Sequence, residues 1–458
     1  MTQVAYRSAA GRWLLLATVL GSALVFLDAT VVTVALPAIG ADLGARTAGL
    51  QWVLSGYMLT LSALILLGGA YGDRYGRRRV FVIGTTWFTA ASAACAAAPT
   101  VGVLIASRVV QGAGAALVTP GSLALIQTTL RREDRSRAIG AWSALSGVGA
   151  AVGPLVGGAL VDATSWRAIF LLNVPLGAGV ALAALRHVPE SRQESDSPLD
   201  LAGSLLAVLG LGGLTYAAVE GGDNGLGAPS VLVAGALGAA GVVGFGLRER
   251  RAAAPMLPLS IFRVRRFTAA NLVTFAVYGA LGGVTFLLVV FLQVVLGASA
   301  LAAGATTLPI TAAVLLLSPV MGRLLQSTGP RLPLSVGPAL IALGAWLMSR
   351  LGSDGSVLEA LPSVVVLGVG LGITVTPVTA TALGGVEDSR AGTASGVNNA
   401  VSRVAQLVAV AVLPPLAGLG GNGLRDPQLL AAGFGTAMAI TAGTAAAGSV
   451  LAVTTLDA

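Results

Sequence analysis

Long apolar runs recur along the whole chain, and they constrain its fold more than any other feature. We identify fourteen of them, each about 20 residues or longer, which is enough for a helix to cross about 30 Å of membrane hydrocarbon. Only 10% of the 458 residues are charged, whereas soluble domains carry about 25%. A soluble α/β protein is thereby excluded, and an all-α polytopic membrane protein is predicted. The predicted spans are centred near Leu24, Thr60, Phe88, Leu117, Val148, Pro175, Leu209, Gly238, Val284, Val314, Ala342, Leu371, Ala409 and Gly443.

The arginines predict the orientation of these spans. All 27 basic residues are arginine, and 21 of them fall in segments on one side of the predicted membrane. Cytoplasmic loops are enriched in basic residues, so that side is the cytoplasmic one. Both termini are then cytoplasmic, the number of spans is even, and the expected location is the cytoplasmic (inner) cell membrane. Four arginines fall on the outer side, namely Arg46, Arg167, Arg350 and Arg425.

A short charged island between the second and third spans has chemistry of its own. It runs from Gly69 to Arg79 and contains Asp73 next to a cluster of arginines. The arginines of the island are the local partners of Asp73, and an acid that meets another helix's N-terminus or an arginine of the other half of the protein would lock the cytoplasmic side closed. The alternative is a loop that only sets orientation. The candidate gate residues are Gly69, Asp73, Arg74, Gly76, Arg77 and Arg78.

An internal repeat divides the chain. Two loops share one offset of 253 residues: Gly76 matches Gly329, and the segment 136–138 matches 389–391. Gly69 and Arg78 match Gly322 and Arg331 at the same offset. Repeats of this kind are typical of transporters built from duplicated halves. We therefore predict an N-terminal six-helix half at 12–187, two inserted spans with their linkers at 188–267, and a C-terminal six-helix half at 268–454.

Asp28 lies well inside the first span, where an ionisable side chain is costly and needs a partner or a wet cavity. Burial penalises its charged form, which suits the gain and loss of a proton. Helical rise places Arg108 of span 4 at a similar depth, with Gln111 one turn further on the same face. We predict an Asp28–Arg108 pair. It either couples protons or merely neutralises two buried charges.

Glycine recurs at every fourth residue in span 5, at Gly149, Gly153 and Gly157, with Pro154 and Gly158 beside it. Such a stripe allows another helix to approach closely, and the proline bends the span. By itself the pattern indicates packing rather than function.

Arg403 falls near the midplane of span 13, with Asn399 and Gln406 at helical spacing. One interpretation is a residue that faces substrate or takes part in coupling, together with Gln111, Asn399 and Gln406 as candidate cavity residues. The other is an arginine capped by backbone carbonyls at a helix break. The apolar runs of spans 9–14 contain no acid, which disfavours dicationic substrates, and Arg403 favours neutral or anionic amphiphiles.

Several function classes are excluded by what the sequence lacks. There is no lysine and hence no phosphate-binding Gly-x-x-x-x-Gly-Lys loop. A single histidine, His187, and a single cysteine, Cys95, leave no basis for a catalytic triad or a Cys-rich metal site. The net charge of +8 sits mainly in loops, as orientation signals rather than a nucleic-acid surface. We expect no enzyme, no metal and no cofactor.

These motifs together resemble the major facilitator superfamily. The island at 69–79 resembles its signature after span 2, the segment 108–114 its span-4 motif, and the segment 147–158 the span-5 motif of antiporters. Fourteen spans and the segments 27–37 and 166–177 resemble the fourteen-span drug:proton antiporter branch.

The resemblance implies a major-facilitator fold, proton coupling by Asp28 and Arg108, and a cytoplasmic gate at Asp73. It also implies proton-driven efflux of amphipathic drugs or antibiotics by alternating access, with the lipid bilayer, protons and a small-molecule substrate as partners and a monomer as the functional unit. A dedicated exporter of one metabolite is the alternative. A membrane sensor without transport would explain the spans but not the duplicated gate loops.

Overall fold

The computed structural model describes residues 4–192, 199–252, 255–384, 386 and 391–456. In these ranges the chain is helical apart from connecting loops and one isolated backbone bridge between Val4 and Leu130. Two short 3₁₀ turns occupy Leu259–Arg263 and Val357–Ala360. The α-helices are α1 (Ala9–Leu43), α2 (Thr47–Tyr75), α3 (Arg77–Ala96), α4 (Val101–Thr129), α5 (Arg132–Ala163), α6 (Arg167–His187), α7 (Leu201–Asn224), α8 (Pro229–Arg251), α9 (Arg265–Val294), α10 (Ala300–Thr306), α11 (Leu308–Thr328), α12 (Arg331–Met348), α13 (Leu361–Gly384), α14 (Ala391–Leu416) and α15 (Pro427–Thr455).

The helices correspond one to one with the predicted spans. Each predicted centre lies in a helix, and the short α10 continues into α11 as one span, Ala300–Thr328, with a break at Thr307. Thirteen spans in the described residues are long and apolar enough to cross a membrane. The remaining helix, α3, is 20 residues long but falls short in hydropathy, because it begins with three arginines. The predicted all-α, multi-span architecture is confirmed.

The helices pack as two bundles with a helical pair beside them. In the first bundle α1 packs on α5 and α6, and α4 packs on α2 and α3. In the second, α9 packs on α14 and α15, while α12 and α13 pack on each other. The pair α7–α8 lies against α2 and α14 through α7. This packing agrees with the predicted halves, whose boundaries in the sequence stay a prediction.

The repeated loop begins with a positive-φ glycine in both halves. Gly76 ends α2 with a φ of 106°, and Gly329 ends α11 with a φ of 70°. Positive φ is strained for any residue with a side chain, which explains glycine at both positions. Arg77 and Arg331 then begin α3 and α12. The second repeated loop, at 389–390, lies outside the described residues.

The two bundles are joined at one end of the molecule. We call the end with Arg77–Arg79 the arginine-rich end and the other the distal end. The hydrogen bonds between described residues that connect the two bundles lie toward the distal end. There Gln51 donates to the Val410 carbonyl at 2.7 Å, and Gln293 donates to that of Val34 at 3.0 Å. Asp162 of α5 accepts from the amides of Ala300 and Leu301 at 3.0 and 2.9 Å. We call these contacts the distal seal.

Candidate functional site

Asp28 sits in the middle of α1 and is only 2% exposed. Its Oδ2 atom accepts a hydrogen bond from Nη1 of the fully buried Arg108 at 2.5 Å. The predicted pair is therefore present, and it connects α1 directly to α4. A charged pair this deeply buried is tolerated only when its remaining polar atoms also find partners.

Two amides supply most of those partners, although Nη2 of Arg108 and Oδ1 of Asn173 are buried without one. Gln111, one turn along α4 from Arg108, donates to Oδ1 of Asp28 at 3.0 Å and accepts from Arg108 at 2.7 Å. Asn173 of α6 donates to the same Oδ1 atom at 2.8 Å and to Ser92 at 3.0 Å. Three side chains from two helices thus hold one carboxylate. We call Asp28, Arg108, Gln111 and Asn173 the carboxylate cluster.

Arg108 has further partners of its own. Its Nε atom donates to the Val53 carbonyl at 3.1 Å, and its guanidinium carbon lies 4.2 Å from the centre of the Tyr57 ring. A cation over an aromatic face is attracted by the ring's negative surface. The arginine is therefore held in place even without Asp28, whereas the carboxylate has no strong partner besides the cluster.

A cavity of about 340 Å³ lies between the two bundles, next to the cluster. Ala29, Thr30 and Thr33, which follow Asp28 on α1, line one side of it. The other side comes from the second bundle and includes Tyr278, Gln406 and apolar side chains. The described lining residues carry no charge. A larger groove of about 680 Å³ is lined by α2, α3 and α4 alone, so it does not lie between the bundles.

The glycine stripe of α5 packs on α1, as its spacing predicted. A Cβ at Gly149 would meet Ala23, one at Gly153 would meet Thr30, and one at Gly157 would meet Val31. The next glycine faces the other bundle: a Cβ at Gly158 would meet the backbone of Ala300 and Leu301. From the α10 side of the same contact, a Cβ at Gly304 would meet the Pro154 carbonyl of α5. The segment thus connects the cluster-bearing helix with α10.

The charged island forms a closed local arrangement. Arg77 donates to Oδ1 of Asp73 through Nε at 2.8 Å and through Nη2 at 2.7 Å. Of the arrangements that the sequence allowed, Asp73 adopts the local one. The N-terminus of α3 is occupied instead by Glu190, which accepts from the amides of Arg78 and Arg79 at 3.0 and 3.1 Å.

The other island residues flank this arrangement. Arg74 lies over the ring of Tyr75, and Gly69 lies against Pro120 of α4. Glu190 was not foreseen because it follows span 6, far from the island in sequence. An acid in an otherwise basic segment was the available signal.

The candidate cavity residues fall in different places. Gln406 lines the cavity, whereas Gln111 is fully buried in the carboxylate cluster because its amide is needed there. Asn399 is exposed and lies outside the described lining, because its neighbour Asn398 takes the inward face of α14 and donates to Thr274 at 2.9 Å.

Arg403 is half-buried, with its guanidinium carbon 5.8 Å from the centre of the Phe26 ring of α1. Its buried Nε atom has no hydrogen-bond partner, and the helix is unbroken at this residue. The backbone-capped arrangement at a helix break is therefore not present.

Asn173 is the member of the cluster that the sequence analysis did not select. An amide inside an apolar run was the available signal, but the sequence does not indicate toward which helix it turns. Among the described residues, no group of three or more His, Cys, Asp or Glu side chains is placed to hold a metal ion.

Comparisons with known proteins show the family to which the chain is similar. Residues 18–410 match the family model of the Major Facilitator Superfamily. The chain is 36% identical to the "Multidrug resistance protein Stp" of Mycobacterium tuberculosis over 91% of this chain and 77% of that protein. It is 37% identical to the "Probable actinorhodin transporter" of Streptomyces coelicolor, over 89% of this chain and 72% of that one.

A solved structure shares the fold. The inward-facing, unoccupied bacterial homologue of the human lysosomal transporter Spinster aligns with a TM-score of 0.69 and 20% identity, covering 98% of each chain. The family match covers most of the chain, and the fold agrees with it from end to end. The chain therefore belongs to the major facilitator superfamily.

Proposed function

We propose that this protein exports amphipathic small molecules across the cytoplasmic membrane by alternating access, driven by the proton gradient. The observation that carries the proposal is the position of Asp28. It is a buried carboxylate held by three side chains, on the helix that also lines the cavity between the bundles. The names of the related proteins, which include multidrug resistance and antibiotic export, support the efflux of drug-like compounds.

Protonation of Asp28 is the proposed coupling step. A proton on the carboxylate cancels its charge and weakens its hydrogen bond to Arg108, because the attraction between two opposite charges is lost. Arg108 keeps Val53, Gln111 and Tyr57, so α1 rather than α4 is released. Helix α1 is packed on the glycine stripe of α5 and is joined to α9 through Val34. A shift of α1 therefore acts on the distal seal.

Opening and closing of the distal seal is the second step of the proposed transport cycle. In our proposal the arginine-rich end faces the cytoplasm, and the described conformation is closed at the distal, outer end. Substrate enters the cavity from the cytoplasm, and opening of the seal releases it outside. Protonation favours one orientation and substrate the other, so the two ligands are linked through the populations of the two states.

Drug-susceptibility profiling of a sensitive host tests the efflux function. Wild type should raise the inhibitory concentration of several amphipathic compounds, and Asp28→Asn should abolish that resistance at equal abundance in the membrane. The asparagine keeps the size of the side chain but cannot lose a proton. Unchanged resistance in Asp28→Asn would remove Asp28 from the coupling role, and a wild type that protects against no compound would contradict efflux.

A dedicated exporter of one metabolite is the second candidate, because one relative is named for a single compound, actinorhodin. Competition between chemically different amphiphiles for binding to the purified protein separates the two. Competition by many compounds supports broad efflux, and displacement by only one structural class supports the dedicated exporter.

A further inference from the structure

We propose that Arg403 is the binding site for an anionic group of the substrate, and that the transported class is amphipathic anions such as aromatic carboxylates and ionised phenols. The inference rests on the proposed efflux function and narrows its substrate class. It starts from the half-buried guanidinium on α14 that has no counter-charge within the described residues.

The position of Arg403 places it at the edge of the cavity between the bundles. Gln406, which lines the cavity, is one turn away on the same face of α14. Tyr278, another lining residue, lies within electrostatic range of the guanidinium. The guanidinium also faces Phe26 of α1 across the boundary between the bundles. Arg403 does not itself line the cavity, but it lies one helical turn from Gln406, within reach of a substrate that extends past that residue.

The hydrogen bonding of Arg403 is incomplete. Its Nε atom is buried without a partner, and its guanidinium carbon lies 5.8 Å from the centre of the Phe26 ring. Arg108 also has one buried nitrogen without a partner, Nη2, but its charge is balanced by a carboxylate and it donates to an amide and a carbonyl as well. An unpaired charge in a membrane span is costly, and such residues generally face a wet cavity or a ligand.

Among the described residues, no acid forms an ion pair with Arg403. The sequences of α9 to α15 contain no Asp or Glu. On the side of the first bundle, Asp28 is already held by the cluster and has its own arginine. The described cavity lining has no acid either. The missing negative charge is therefore supplied by the ligand, and a cationic ligand would be repelled.

The wall of the cavity indicates the chemistry of the part of the ligand that carries no charge. Leu281, Phe286, Val314 and Leu371 make much of its wall apolar, while Thr30 and Thr33 contribute hydroxyl groups. An aromatic or aliphatic body fits this wall, with its anionic group at the edge next to Arg403. Arginine is suited to this role because its planar fork can donate two parallel hydrogen bonds to a carboxylate.

Binding of a matched ligand pair to the purified protein in detergent tests the site. The probes are pyrenebutyrate and its methyl ester, which share the apolar body and differ in charge, followed by pyrene fluorescence at constant pH. Wild type should bind the acid more tightly than the ester. Arg403→Gln should weaken binding of the acid about tenfold or more, as expected for a charge-assisted hydrogen bond, and change the ester by less than about twofold.

Two variants control for folding and for general charge effects. Arg403→Lys keeps the charge without the planar fork and should retain part of the preference for the acid. Arg350→Gln removes an exposed arginine at the distal end and should leave both ligands unchanged.

Three results would overturn the site: tighter binding of the ester by wild type, unchanged binding of the acid in Arg403→Gln, or an equal loss of both ligands in that variant. Each leaves efflux standing if wild type still protects cells from neutral amphiphiles. Binding of neither probe would count against the site, and against the proposed function only if that protection is absent too.

Discussion

At the scale of single residues, the carboxylate cluster is asymmetric. Asp28 depends on Arg108, Gln111 and Asn173, whereas Arg108 has Val53 and Tyr57 in addition. Removal of one partner from a buried pair leaves an uncompensated charge, which costs about 3–5 kcal/mol. Replacement of both partners by neutral groups of similar size costs much less. Stability and coupling can therefore be separated by experiment.

The single variant Arg108→Gln should lower the thermal stability of the purified protein, because the buried carboxylate loses its cation. The double variant Asp28→Asn with Arg108→Gln should recover most of that loss, because two amides can bond to each other and to the surrounding polar groups. Neither should confer resistance. Melting curves in detergent and inhibitory concentrations in cells measure the two properties. A double variant less stable than Arg108→Gln would contradict the pairing energetics.

Much of this cluster could be predicted from the sequence, and the reason is geometric. Helical rise fixes the depth of a residue in the membrane, so Asp28 and Arg108 could be matched from their positions in two antiparallel spans. The rotation of each helix about its axis, and the helices that pack against it, are instead set by tertiary packing. For that reason Asn173 and Glu190, which come from α6 and the segment after it, were not selected.

At the scale of helices, the contact between α1 and α5 depends on the absence of side chains. Gly149, Gly153 and Gly157 bring the two backbones together, and Gly158 brings α5 to α10. The stripe was visible in the sequence, and its partner helices were not. Likewise, the break at Thr307 that separates α10 from α11 was not predicted, because a single apolar run crosses it; Pro309 was the available signal.

Gly153→Ala should impair transport, because its Cβ would clash with Thr30 and push α5 away from α1. Overpacking of this kind costs about 1–3 kcal/mol. Gly140→Ala, on the same helix, is the matched control, since a Cβ there would meet no atom within 4 Å. Resistance normalised to membrane abundance measures the effect. Equal resistance in both variants would show that the close approach is not needed for the cycle.

A second helix contact, at the base of the α7–α8 pair, contains two buried acids. Asp200 Oδ2 and Glu249 Oε1 are both buried without a hydrogen-bond partner. They lie 2.7 and 3.2 Å from the position that a Cβ would take at Gly203. Two carboxylate oxygens around one point repel each other unless a hydrogen bridges them.

Glu249→Gln should therefore stabilise the protein, because the amide can donate toward Asp200. Each kcal/mol recovered should raise the melting temperature by about 2–4 °C for a domain of 150–250 residues, and by less in a longer chain. Glu133→Gln, at an exposed acid, should cause no change. A lower melting temperature for Glu249→Gln would contradict this prediction and show that the two oxygens do not destabilise the protein.

At the scale of the whole molecule, the two bundles are held together toward the distal end by Gln51, Asp162 and Gln293. The sequence indicated two duplicated halves through the repeat of Gly76 and Gly329, and both of these glycines have a positive φ. The sequence could not indicate which end is sealed, because both ends of a rocking bundle must be able to close. That choice depends on contacts between residues far apart in the chain.

Proton movement that accompanies substrate transport is the central claim of this account. The direct test uses the purified protein in liposomes with a pH-sensitive dye inside and an outward substrate gradient. Wild type should drive protons opposite to the substrate, and Asp28→Asn should abolish that signal while substrate binding persists. Equal proton movement in Asp28→Asn, or uphill transport by wild type after the pH difference and the membrane voltage are both collapsed, would contradict the account.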